Sequence, residues 1–159
     1  MLINFIKFFS LYYFMIREID CDLFELYVDA LAHGRNIQGM MNASIAREFR
    51  IKYPTMFDEY KTYCKNGLFN PGDVHFYRNP ARPHIINIAT QEGIRDSAKL
   101  EYIEIGLGNI RENYRVWNIN SLAMPKIGCG LGKLDWNDVN RLVKKIFGTS
   151  DLEILIASR

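Results

Sequence analysis

Two rhythms of hydrophobic and polar positions run along the chain. The period-two rhythm starts at Ile16-Arg17-Glu18-Ile19, a short strand that Asp22-Leu23-Phe24 closes. A second apolar run covers residues 27–32 and ends at His33-Gly34-Arg35-Asn36. Residues 74–77 read as a strand, and residues 84–89, 122–124 and 152–157 as buried strands, because their apolar character is nearly unbroken. Between them the spacing changes to three and four. A helix is predicted over residues 45–51, with Ile45 and Phe49 on one face and Pro54 as its stop. Thr55-x-x-Asp58 carries a capping-box signature for the next helix, whose inner face holds Met56, Phe57, Tyr60 and Cys64 and whose end is Asn66-Gly67. Leu100, Ile103, Leu107, Ile110 and Tyr114 mark a long amphipathic helix, which Gly106 and Gly108 weaken. A last helix is predicted over residues 135–147, with Val139, Leu142, Val143 and Ile146 facing the core and Gly148 as cap. Residues 70–73 and 79–83 read as turns. Strands alternating with helices predict a three-layer α/β/α sandwich around a mixed, mostly parallel sheet.

Composition narrows this picture. At 159 residues the chain suits one core, assigned here to residues 15–159, and 48% hydrophobic with 24% charged residues suits a globular protein. A net charge of +2 counts against a protein built to neutralise a nucleic-acid backbone. Arg78, Arg82, His84 and Lys133 form a candidate basic patch, for which solvated loop charges are the competing reading. Cys21, Cys64 and Cys129 have no metal-ligand spacing and read as reduced thiols in a cytoplasmic protein. Residues 1–14 are almost wholly apolar, yet too few to span a membrane and lacking a small-residue cleavage site. The expectation is that Met15 is the natural start or that residues 1–14 are a loosely attached extension; an extra strand or helix on the core is the alternative.

The chemistry concentrates in Met124-Pro125-Lys126-Ile127-Gly128-Cys129-Gly130-Leu131-Gly132-Lys133-Leu134-Asp135-Trp136. Strand, glycine-rich loop and helix together bring backbone N–H groups and a helix's positive end to an anion. A tight turn that merely needs glycine is the plainer reading. The loop is not a Walker loop, since Leu134 follows Gly132-Lys133. Nor is it a dinucleotide fingerprint, since Lys133 takes the third glycine's place. Cys129 could serve there as a nucleophile, or simply as a small residue in a tight loop. In open α/β sheets ligands sit at the carboxyl ends of strands, where Asp22, residues 33–44, Thr90-Gln91 and residues 128–132 all fall. One crevice would then offer a carboxylate suited to an adenine amino group and two anion loops suited to a diphosphate.

On these residues the chain resembles the macro domain, the ADP-ribose-binding fold. The likeness is to the branch of terminal ADP-ribose protein glycohydrolase, the DNA-ADP-ribosyl hydrolase antitoxins and their bacterial and phage relatives. Asp22-Leu23-Phe24 is similar to the family's Gly-Asp-Leu-Phe, with Cys21 in place of the glycine. Residues 30–34 and 39–46 resemble its first binding loop, Ile88-Ala89-Thr90-Gln91 a further element, and residues 124–136 its second loop. The resemblance implies that Asp22, beside Leu23, accepts the adenine amino group. It implies that Gly39, Met40, Met41, Asn42, Ala43, Ser44 and Ile45 wrap the diphosphate and distal ribose, with Asn36 near that ribose and Thr90 and Gln91 close by. Ile127, Gly128, Cys129, Gly130, Leu131 and Gly132 would cradle the phosphates. A strand-end cap is the competing role for Asp22, and a structural one for His33.

The chain also departs from that branch. Hydrolytic members use a lysine where Gln91 stands, and some an acid where Gly132 stands; glutamine neither forms a sugar adduct nor transfers a proton. Asn42 and Ser44 replace glycines. The expectation is therefore a monomer that binds ADP-ribose, free or on a macromolecule, with no metal, no cofactor and no membrane partner. The alternative is an ADP-ribosyl hydrolase or ADP-ribose 1″-phosphate phosphatase working without the lysine, its catalytic candidates His33, Asn36, Gln91 or an activated water.

Overall fold

Six strands form one mixed sheet in the computed structural model, which describes residues 15–159; the expectation for residues 1–14 lies outside the described residues. The strands are β1 (Ile16–Ile19), β2 (Ala30–Arg35), β3 (Val74–Tyr77), β4 (His84–Ala89), β5 (Ser121–Pro125) and β6 (Glu153–Ala157). Their order across the sheet is β1-β6-β5-β2-β4-β3. All neighbouring pairs are parallel except β3 with β4. Among the described residues four α-helices cover the two faces: α1 (Ser44–Lys52), α2 (Pro54–Lys65), α3 (Leu100–Asn113) and α4 (Trp136–Phe147). The predicted three-layer α/β/α sandwich is the observed architecture.

The period-two alternation of a strand divides the core in two. Ala30, Ala32, Ile86, Ile88, Leu122, Met124, Ile154 and Ile156 point to one face, beneath Ile103, Leu107 and Ile110 of α3 and Val139, Val143 and Phe147 of α4. Leu31, Ile85, Ala89, Ala123, Leu155 and Ala157 point to the other, beneath Phe49 of α1 and Met56 and Tyr60 of α2. The central strands are covered on both sides, which is why they read as continuous apolar runs.

Several boundaries differ from the sequence pattern. Asp22 does not close a strand; it caps a short 3-10 helix over Leu23–Glu25, accepting from the Phe24 N–H at 2.8 Å. β2 begins at Ala30 rather than Tyr27, and it runs on through His33 and Gly34 to Arg35. Tyr27 is fully exposed, while Asp29 is tied to the Ser121 hydroxyl and the Asn120 N–H, so pairing with β4 starts only at Ala30. The capping box at Thr55 is not used. Pro54 opens α2 instead, since its fixed φ and missing N–H suit a first helical position, and no side chain caps the helix. Asp135 does cap α4, accepting from the Asn137 N–H at 2.7 Å. Gly106 does not interrupt α3: a Cβ there would lie 2.3 Å from Ile88 Cγ2, so the glycine is what lets the helix lie close on β4.

Neighbours β2 and β5 send their chains to opposite faces, β2 onward to α1 and α2, β5 onward to α4. A crevice opens at the carboxyl ends of such a pair.

Candidate functional site

A cavity of about 340 Å³ occupies that crevice. Its wall is built from the end of β2 (His33, Gly34, Arg35), the start of α1 (Ala43, Ser44, Ile45), the segment after β4 (Thr90, Gln91), the loop after β5 (Lys126, Ile127, Gly128, Gly130, Leu131, Gly132) and the residues after β6 (Ser158, Arg159).

The two loops that face each other across this space carry unusual backbone. Ser44 sits at φ 50°, Gly128 at φ 75° and Lys133 at φ 65°. Two non-glycine residues in the left-handed region mark conformations that surrounding structure must enforce. The 128–132 loop closes on itself through Leu134 N–H donating to Gly128 C=O at 2.8 Å and Lys133 N–H to Gly130 C=O at 3.1 Å. Gly130 faces open space, whereas a Cβ at Gly132 would lie 2.6 Å from the Gly128 carbonyl oxygen and 2.8 Å from Ala98 Cβ.

The sequence-predicted residues separate into two groups. Ala43, Ser44, Ile45, Thr90, Gln91, Ile127, Gly128, Gly130, Leu131 and Gly132 line the cavity, as does His33. Asp22, Leu23, Asn36, Gly39, Met40, Met41, Asn42 and Cys129 are not part of that wall. Leu23 and Met41 are core residues, and Asn42 accepts from Arg50 at 2.8 Å. Asn36 spends its amide on its own loop: Nδ2 donates to the Met40 carbonyl, and Oδ1 accepts from the Gln38 and Met40 N–H groups and the Tyr60 hydroxyl. Gln91 donates from Nε2 to the Gly93 carbonyl at 2.9 Å. Burial raises the Cys129 thiol, which leaves it a poor nucleophile. Among the described residues no cluster of three or more His, Cys, Asp or Glu side chains has metal-binding geometry.

Behind the wall lies a directed hydrogen-bond chain. His33 Nε2 meets Asn87 Oδ1 at 2.5 Å, Asn87 Nδ2 meets His75 Nδ1 at 3.1 Å, and His75 Nε2 meets Glu59 Oε1 at 2.7 Å. Asn87 Nδ2 also faces the Met56 sulfur at 3.3 Å. Sulfur only accepts, so the amide's orientation follows, and with it both tautomers. His75 and His33 each donate from Nε2, which leaves His33 Nδ1 a bare acceptor, buried and without a partner among the described residues. His33 stacks on Phe49 at 3.8 Å between centroids. Its burial, and then the nearby Arg35 charge, hold its pKa well below the ordinary histidine range.

Ser158 and Arg159 belong to the cavity wall without having been singled out from the sequence, and Arg35 and Lys126, within the stretches that were, carried no role of their own. Arg35 had a usable signal: it shares the phase of Leu31 and His33 on β2 and so must point inward.

Residues 32–143 match the family described as Macro domain. The DNA ADP-ribosyl glycohydrolase of Mycobacterium tuberculosis is 36% identical over 146 residues, 89% of this chain. The chain spans 42% of that protein's length and 37% of the Thermus aquaticus protein of the same name. The macrodomain of M. tuberculosis DarG superposes with a TM-score of 0.82 at 32% identity, over 91% of this chain and 97% of that one. The fold also matches Thermosipho africanus DarTG, solved in complex with ADP-ribose, with a TM-score of 0.84 at 24% identity, over 89% of this chain and 41% of that one.

Proposed function

The chain belongs to the macro-domain family, and on that premise we propose that its crevice binds ADP-ribose, free or carried on nucleic acid or protein. The supporting observation is the cavity at the β2/β5 divergence, flanked by two loops held in left-handed backbone conformations. In this reading the diphosphate lies between the start of α1 and the 128–132 loop, where backbone N–H groups and the positive end of a nine-residue helix favour an anion. Asp22 accepts the adenine amino group through the carboxylate oxygen not used by Phe24 N–H. Calorimetry tests this directly. ADP-ribose should bind at micromolar affinity, about −8 kcal/mol, and Asp22→Ala should cost about 1–3 kcal/mol through the lost charge-assisted bond. Equal affinity for AMP and ADP-ribose would exclude the reading.

A second reading, removal of ADP-ribose from DNA or protein, draws on the 36% identity to DNA ADP-ribosyl glycohydrolases. Two features of this chain weigh against the branch's own chemistry. Gln91 stands in place of the lysine, and the 128–132 loop is too tight at Gly132 to carry an acid. Release assays on ADP-ribosylated DNA and protein separate the two readings. Little release by the wild type, with slow release gained in Gln91→Lys, supports the binder. Wild-type turnover of about 1 per second or more, unchanged in Gln91→Ala, supports an enzyme built on His33 or a substrate-activated water. A 1″-phosphatase would instead show as phosphate release from ADP-ribose 1″-phosphate.

A further inference from the structure

Three cationic side chains line the cavity, and two of them end on carboxylates. Lys126 Nζ lies 2.9 Å from Glu18, and Arg159 Nε lies 3.0 Å from Asp20. Arg35 does not. Its Nε donates to the Gly34 carbonyl at 2.5 Å, and among the described residues no carboxylate comes within 4.0 Å of its guanidinium. The hydrogen bond at Nε pins the plane of the group, and among the described residues no hydrogen bond takes up its two terminal amino groups. The group is half-buried in the wall, and desolvation there pulls its pKa down to about 10, so it is charged at neutral pH. Its charge is felt by the neighbours, since it helps keep His33 neutral. Beside it, Ala43, Ser44 and Ile45 bring the start of α1, which no side chain caps, into the same wall. A half-buried cation and a helix's positive end facing one space repel each other, and an anion between them relieves that repulsion.

We propose that Arg35 is the phosphate-binding side chain of this cavity, its two terminal amino groups donating in a fork to a phosphoryl group of the ligand. The proposal rests on the ADP-ribose reading only for the identity of that ligand; the chemistry it requires is a phosphate or diphosphate. A guanidinium fork matches two phosphate oxygens as an ammonium does not.

The test compares wild type, Arg35→Met and Arg35→Lys, with ADP-ribose, inorganic pyrophosphate and adenosine as probes. Without ligand, Arg35→Met should melt no lower than wild type, because among the described residues no carboxylate loses a partner. Its ADP-ribose affinity should fall about ten- to a hundredfold, the size of a lost charged hydrogen bond, with Arg35→Lys between the two. Pyrophosphate should raise the melting temperature of wild type and not of Arg35→Met, and adenosine should not distinguish them. ADP-ribose binding within twofold of wild type in Arg35→Met would overturn the proposal while the ADP-ribose reading stood. Arg35-dependent pyrophosphate binding with no wild-type affinity for ADP-ribose would uphold the proposal and overturn that reading. If Arg35→Met fails to fold, Arg35→Lys decides: unchanged pyrophosphate affinity there removes the fork.

Discussion

Within the 128–132 loop, glycines two positions apart have different reasons for being glycine. A Cβ on Gly130 would meet nothing within 4 Å among the described residues, while Gly132 is closed in by the Gly128 carbonyl and Ala98. Gly130→Ala should leave the melting temperature unchanged, and Gly130→Glu should abolish ADP-ribose binding at the same stability, because a carboxylate then faces the diphosphate. Gly132→Ala should cost about 1–3 kcal/mol of stability, since its neighbours are backbone and a core alanine with no room to yield. Thermal melts alongside calorimetry on the three variants check this. The glycine spacing made the loop conspicuous in the sequence. It gave no means of telling which glycine the fold needs and which the ligand needs, because that depends on Ala98, more than thirty residues away.

The helices follow the same logic. Gly106 and Gly108 both weaken the helical pattern of α3 on propensity grounds, yet one of them is required by packing. Gly108→Ala should stabilise the protein by about 0.5–1 kcal/mol, as an ordinary helix-interior change. Gly106→Ala should destabilise it by about 1–3 kcal/mol, because its Cβ would meet Ile88 at 2.3 Å. Urea unfolding of the two variants should move the midpoint in opposite directions. The strands were legible where both faces are apolar, as at Ile85-Ile86 and Leu122-Ala123-Met124. β2 was legible only in part, because His33 and Arg35 interrupt its apolar run although they belong to the strand. The relay from Glu59 to His33 was invisible, since each link joins a different element. Arg159 carries no local signal either; only the pairing of β6 with β5 and β1 brings it to the crevice.

For the whole molecule, the buried histidines set the response to acid. His33 and His84 are both held below the ordinary value, first by burial and then by nearby arginines. The unfolded chain takes up protons on them near pH 6.5 while the folded one does not, so stability falls as pH drops below about 6.5. Against the pull of burial, Glu18 is held low by Lys126, and Asp29 by the Asn120 N–H and then Arg82; their contribution disappears later, as pH falls through their folded values. The urea midpoint should be flat from pH 8 to 7 and decline from pH 6.5 to 5. The slope from His33 should approach about 1.4 kcal/mol per pH unit, and His33→Gln should flatten the upper part of the decline. An unchanged profile in that variant would assign the response elsewhere.

The chain of hydrogen bonds behind the cavity is also a one-way insulator. Glu59 reaches solvent, while His75 beside it is buried. Asn87 stands next in line, and an amide hands no proton onward; the Met56 sulfur keeps it from turning over to reverse its two bonds. The relay therefore polarises the His33 ring without wiring it to bulk solvent. Along this route no proton path runs from the Glu59 surface to the wall of the cavity.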